Sequence, residues 1–139
     1  MPHGVALTSR TYIGSVVVPW TMTLVQDIGH LLLQVGDMGE ALRFYRDTLG
    51  FGVPGKVDPV WTVVTTKGGA ITLFARKEPV PCALRDGWSP FEFHVANFEE
   101  AANTLERAGY TVQRKGVNLG LVQDPWGNVL RLHDHREDG

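Results

Sequence analysis

The sequence predicts an α+β fold made of two βαβββ modules in tandem, and three observations predict it. A strand-then-helix pattern in "HLLLQVGDMGEALRFYRDTLGF", from His30 to Phe51, returns about sixty residues later in "PFEFHVANFEEAANTLERAGY", from Pro90 to Tyr110. Each copy has an Asx-x-x-Glu helix start and a glycine just past the helix. Each copy is then followed by two β-rich runs joined by a tight turn. Independent features that repeat in the same order mark an internal duplication.

The elements follow in chain order. Leu31, Leu33 and Val35 alternate with His30, Leu32 and Gln34, the period-two mark of a strand with one face on a core. Asp37 and Glu40 open a helix in which Met38, Leu42, Tyr45 and Leu49 recur at helical spacing. Gly50 ends it, and Phe51 opens the next extended segment. In "VWTVVTTKGGAITLFAR" two strands meet at a turn over Lys67–Gly69. The Pro-containing segment 78–89 is read as a linker. Phe91, Phe93 and Val95 then repeat the first strand, and Asn97 with Glu100 repeats the cap. Phe98, Ala101, Leu105 and Ala108 repeat the helix, Gly109 repeats the stop, and Tyr110 opens a further extended segment. "LGLVQDPWGNVLRLHD" is the second strand–turn–strand, bent at Asp124–Asn128. Superposing the two turns aligns Thr72 with Arg131 and Phe74 with His133.

The expected organisation is an N-terminal extension over residues 1–26 and one domain over 27–139. That domain contains module one (27–77), the linker (78–89), module two (90–134) and a short tail. The chain of 139 residues is the size of one domain. Its 43% apolar and 20% charged residues are ordinary globular composition. A formal charge of −2 offers no basic footprint, which argues against nucleic acid or an anionic membrane surface as partner. No apolar run is long enough to span a bilayer, and the first residues lack the core and cleavage site of a secretory leader. One cysteine, Cys82, excludes an internal disulfide and fits a reducing compartment, so a cytoplasmic location is expected. In a loop between prolines, Cys82 reads as a bystander thiol rather than a nucleophile. In the extension, Val16–Val18 has strand character.

The face of each first strand opposite its apolar parity is half polar: His30, Leu32 and Gln34 in one module, Pro90, Glu92 and His94 in the other. Doubling such a face points to a concave surface that meets ligand or solvent.

The three segments "GHLLLQVGDMGEALRFYRDTLGF", "FEFHVANFEEAANTLERAGYTV" and "VQDPWGNVLRL" together resemble the vicinal oxygen chelate superfamily, the glyoxalase, bleomycin-resistance and extradiol dioxygenase group. The resemblance covers about Asp27 to Asp134. It implies a cupped mixed sheet with helices outside, a small-molecule ligand in the cup, and commonly a homodimer. It also implies metal ligands at a His opening each first strand and at a carboxylate or amide in each last strand. Those positions hold His30, Thr72, Pro90 and Arg131 here. Proline's ring offers no donor atom and a guanidinium stays cationic, so the usual metal triad is not expected. A rearranged divalent-metal site from His30, Glu92 and His133 is the alternative. His133 and His135 in "LHDHREDG" offer further imidazoles, although a frayed tail is the simpler expectation there.

The expected ligand-binding residues are therefore His30, Gln34, Trp61, Thr72, Phe74, Glu92, His94, Arg131 and His133. Arg131 either pairs with Glu92 or faces an acidic ligand group. His30 and His94 supply hydrogen bonds or acid–base help, and Trp61, Phe74 and Trp126 are candidate aromatic walls. Three functions compete. The first is a metal-free protein that binds a small organic molecule, with no cofactor. The second is a metal-dependent lyase, isomerase or dioxygenase with a rearranged site. The third is an interaction module with no ligand, its cup filled by its own side chains or by the N-terminal extension, in which residues 12–24 carry enough apolar surface to cover a sheet edge or a partner subunit. Bleomycin is a poor candidate ligand, because it is cationic and the chain offers little acidic attraction.

Overall fold

The fold is described from a computed structural model, in which residues 10–13 and 16–19 (backbone only), 24, 25, 27, 29–82 and 89–135 are placed. Most of the N-terminal extension, linker residues 83–88 and the last four residues lie outside the described residues. Strands β1 (Arg10–Ile13) and β2 (Val16–Pro19) pair antiparallel as a separate hairpin. The strand expected at Val16–Val18 is part of it.

Module one comprises β3 (Leu32–Val35), α1 (Met38–Leu42) continued by a π-helical segment (Arg43–Thr48), β4 (Trp61–Thr66) and β5 (Gly69–Ala75). Its sheet runs β3-β5-β4, with β3 parallel to β5 and β4 antiparallel. Module two comprises β6 (Glu92–His94), α2 (Phe98–Arg107), β7 (Val112–Gly116), β8 (Leu119–Gln123) and β9 (Val129–His133). Its sheet runs β6-β9-β8-β7. Both sheets are mixed, and among the described residues no ladder joins one to the other.

The duplication extends to single hydrogen bonds. Asp37 Oδ2 accepts from the Glu40 amide at 2.8 Å, and Asn97 Oδ1 accepts from the Glu100 amide at 3.1 Å. The two caps close the first turns of α1 and α2 in the same way. Gly50 and Gly109 follow the helices at φ 86° and 97°, a left-handed conformation that costs a side-chain-bearing residue. Thr72 N donates to Leu31 O at 2.9 Å, and Arg131 N donates to Phe91 O at 2.9 Å. The Thr72–Arg131 alignment is thus realised in the ladders.

Module one departs from the repeat in two places. The segment opened by Phe51 forms only an isolated bridge, Gly52 to Thr65, instead of a full strand. Pro54 lacks an amide proton and stops the ladder from growing. The first helix widens to π geometry, with Leu49 N donating to Phe44 O at 2.9 Å. Phe44 and Tyr45, adjacent in sequence, are both fully buried there, whereas the heptad-like spacing picks out only Tyr45.

One core serves both modules. Leu33, Val35, Val64 and Leu73 meet Phe98, Leu105, Val122, Leu130 and Leu132 in it. Phe51 packs edge-on to Phe93 with ring centroids 5.4 Å apart, and Phe44 packs edge-on to Tyr110 at 4.6 Å. Tyr45 OH donates to Asp124 Oδ2 at 2.7 Å, and Asn128 Nδ2 donates to Gln34 O at 2.8 Å. The β8–β9 turn of module two is thereby tied to the helix and first strand of module one. Leu31, expected on the core parity, lies just ahead of β3 and is 47% exposed.

Candidate functional site

The faces of the sheets turned away from that core carry the expected site residues, one group on each module. On module one the register aligns Gln34, Phe74 and Trp61 in one row and Leu32, Thr72 and Val63 in the next. His30 precedes β3, and its Nδ1 lies 2.7 Å from the hydroxyl of buried Thr72. Trp61 and Phe74 stack with centroids 4.6 Å apart and planes 18° apart, and His30 is tilted against Trp61 at 6.2 Å. The Arg76 guanidinium sits 5.7 Å over the Phe74 ring. Gln34 reaches away from this row, its Oε1 accepting from the Val80 amide at 2.8 Å. The result is an aromatic wall with one imidazole at its head.

On module two the register sets Glu92 beside Arg131 and His94 beside His133. Arg131 Nε lies 2.9 Å from Glu92 Oε1, an ion pair slightly off the hydrogen-bond line. Glu92 Oε2 lies 3.2 Å from His94 Nε2 and 3.7 Å from His133 Nδ1. His135 joins them, its Nε2 being 3.1 Å from His94 Nε2. This face is charged and rich in imidazole where its counterpart is aromatic.

Among the described residues, no hydrogen bond, ion pair or ring contact joins the His30 group to the Arg131 group. An open groove of about 380 Å³ runs between the β4–β5 turn and β6, lined by Leu31, Phe51, Glu92 and His94 among others. A second cavity of about 380 Å³ lies over β7 and β8, lined by Gln113, Leu121 and Asp124. Neither is lined by His30 or Arg131.

The residues at the metal positions that the resemblance implies do not fit a metal ion. Pro90 is exposed, has no donor and stands ahead of β6. Arg131 brings a positive charge already directed at Glu92. The Thr72 hydroxyl is buried and engaged with His30. The rearranged set is not gathered either. The one group of three His, Cys, Asp or Glu among the described residues close enough for an ion is His94, His133 and His135, without His30 or Glu92. The sequence pattern alone assigns His135 to the tail; its i, i+2 spacing from His133 is the signal that points the other way. Trp126 is not a pocket wall, for it packs against Gly36 and the shared core. Burial pushes the Cys82 thiol up, away from the thiolate a nucleophile needs.

Paired βαβββ modules with helices on one side and half-polar sheet faces on the other define a protein of the glyoxalase-like architecture. The sequence matches the Glyoxalase/Bleomycin resistance protein/Dioxygenase superfamily over residues 27–132, and the chain belongs to that superfamily. It is 28% identical over 107 residues to a catechol-2,3-dioxygenase of Bacillus subtilis, covering 70% of this chain and 37% of that protein. The chain thus spans little more than a third of the length of that relative. Similar solved structures include glyoxalase I of Leishmania major, with TM-score 0.63 and 18% identity over 82% of this chain and 90% of that one. Another is an antibiotic-binding protein from Streptomyces sp. CB03234, with TM-score 0.58 and 24% identity over 77% of this chain and 96% of that one. At these identities the structures establish the fold. Superfamily membership brings divalent-metal chemistry as a common property of the group, and no helix among the described residues is long and apolar enough to cross a membrane.

Proposed function

We propose that this chain binds a small organic molecule bearing an aromatic ring and an acidic group, without the superfamily's usual metal. The carrying observation is Arg131, set 2.9 Å from Glu92 at the last-strand position where the resemblance implies a metal-binding carboxylate or amide. A guanidinium there repels a cation and matches a carboxylate, enolate or phosphonate through its planar fork. The Trp61–Phe74 stack offers a flat apolar face for a ring, with the His30 imidazole beside it for a hydrogen bond.

The pocket is closed by a second copy of the chain, as a homodimer. Leu32, Trp61 and Val63, on one sheet face, are 46%, 45% and 38% exposed, apolar surface that association would cover. A partner's Arg131 face laid on this patch would unite the two halves that stand apart in one chain. The single cysteine supports work in the cytoplasm, and the charge of −2 supports neither nucleic acid nor a membrane as partner.

Calorimetric titration of the chelator-treated protein with a panel of aromatic acids and antibiotics tests this reading. The fold also serves an antibiotic-binding protein, which makes antibiotics part of the panel. Saturable binding, weakened about tenfold or more by Arg131→Leu and by Trp61→Ala, is expected. A panel without a single binder, or a binder indifferent to both substitutions, overturns it.

A further inference from the structure

We infer that His94, His133 and His135 form a binding site for a first-row divalent transition-metal ion of the Zn2+, Co2+ or Ni2+ class, separate from the positions the superfamily resemblance implies. Each residue offers one ring nitrogen, and these nitrogens all lie within 4.8 Å of one another. Nitrogens about 2.0–2.1 Å from a tetrahedral ion are about 3.3 Å apart, and the His94–His135 Nε2 pair already stands at 3.1 Å. The rings crowd correspondingly: centroids are 4.4 Å apart for His94–His135, 4.5 Å for His133–His135 and 6.2 Å for His94–His133. Imidazole nitrogens are ligands these metals favour, and one ion would engage all three rings at once.

The cluster is built from backbone that is held. His94 lies in β6 and His133 ends β9, paired in parallel register. Between His133 and His135, Asp134 is fully buried. Its amide donates to Asn118 O at 2.9 Å, its carbonyl accepts from Asn118 Nδ2 at 3.0 Å, and its carboxylate accepts from the Phe98 amide at the start of α2. His135 therefore follows an anchored residue, contrary to the expectation of a frayed tail. Glu92 completes the surroundings. Its Oε1 faces Arg131, while its Oε2 stands 3.2 Å from His94 Nε2 and 3.7 Å from His133 Nδ1. At His133 Nδ1 the carboxylate can orient that ring, whereas at His94 Nε2 it shares the ion-facing side, where it turns inward as a fourth ligand. In the single chain His94 and His135 are exposed, so an ion has a path in from solvent before any partner covers this face.

The test uses the untagged full chain stripped with chelator and titrated with Co2+, read by its visible absorption, and with Zn2+, read by calorimetry and by the thermal midpoint. The expected result is one equivalent bound per chain and a midpoint that rises with Zn2+. His94→Ala and His135→Ala should each weaken binding about tenfold or more, while His30→Ala leaves it unchanged. Both truncated histidines are exposed, and far-ultraviolet circular dichroism verifies that the variants fold. The inference is overturned if the wild type takes up no stoichiometric ion, if the two variants bind as the wild type does, or if His30→Ala abolishes binding. Ion uptake is measured with no organic ligand present, so its failure is distinguishable from failure of small-molecule binding.

Discussion

Arg131 faces Glu92 at 2.9 Å in the same register at which Thr72 faces Leu32 in module one. One duplicated framework thus carries a charged pair in one half and an uncharged pair in the other. The asymmetry falls on the strand face opposite Leu33, Leu73 and Leu132, with Thr72 buried beneath His30 and Arg131 partly exposed. Both partners of the ion pair are about a third exposed, so water screens their attraction.

That exposure leads to the first prediction. Arg131→Leu should change the free energy of unfolding by less than about 1 kcal/mol, while weakening binding of an acidic ligand by about tenfold or more. Urea titration and calorimetry on the same preparation separate the two effects. A large loss of stability with unchanged affinity would assign the guanidinium to the fold alone.

Tyr45 and Asp124 link the modules through a buried hydrogen bond of 2.7 Å across 79 positions of sequence. Asp124 also accepts from the amides of Trp126 and Asn128 and from Asn128 Nδ2, so the bond closes a network. Tyr45→Phe leaves a buried carboxylate short of one donor and should destabilise by about 1.5–3 kcal/mol, read by chemical denaturation.

The same residue predicts an alkaline limit. Burial first, then the Asp124 charge and hydrogen bond, raise the Tyr45 phenol well above its usual 10.0. In the unfolded chain the phenol ionises near 10, whereas in the folded chain it stays protonated to higher pH. Stability from the neutral phenol is therefore complete below about pH 10 and falls as pH rises beyond it. Unfolding titrations across that range should show the fall in wild type and a shallower one in Tyr45→Phe.

Gly120 lies in β8 beneath the ring of Phe98, the first residue of α2. A Cβ there would meet the Phe98 ring and stand 2.7 Å from Gln113 O, which is backbone and cannot yield. Gly120→Ala should destabilise by about 1–3 kcal/mol, measured by chemical denaturation. A neutral result would mean that α2 rides further from the sheet than these contacts require.

The assembly is checked by light scattering after size exclusion. Twice the chain mass is expected for wild type, and Trp61→Asp or Val63→Asp should yield monomers, because a charge on the apolar patch must be desolvated on association. A wild type that is monomeric at tens of micromolar, about the range of a weak interface, would leave the pocket to one chain.

Features governed by near neighbours were legible in the chain. Asp37 and Asn97 cap helices because a short side chain reaches an amide three residues on, whatever the rest of the molecule does. Alternation at Leu33 and Val35 reports one buried face for the same local reason. The matched turns carried the register that sets Thr72 and Arg131 at equivalent places. The shortening after Phe51 had a local signal in Pro54, whereas the π-helical widening was not legible, since it depends on what packs against Phe44 and Tyr45.

The sequence by itself determined the duplicated βαβββ framework and the residues unfit for the superfamily's usual ion, because Pro90 and Arg131 lack the donors by covalent structure. Only the tertiary structure decided that His94, His133 and His135 converge while His30 stands apart with Thr72. Convergence depends on parallel pairing of β6 with β9 and on the buried Asp134 that holds the chain beyond it. Those contacts join residues roughly forty positions apart, a distance over which spacing along the chain carries no geometry.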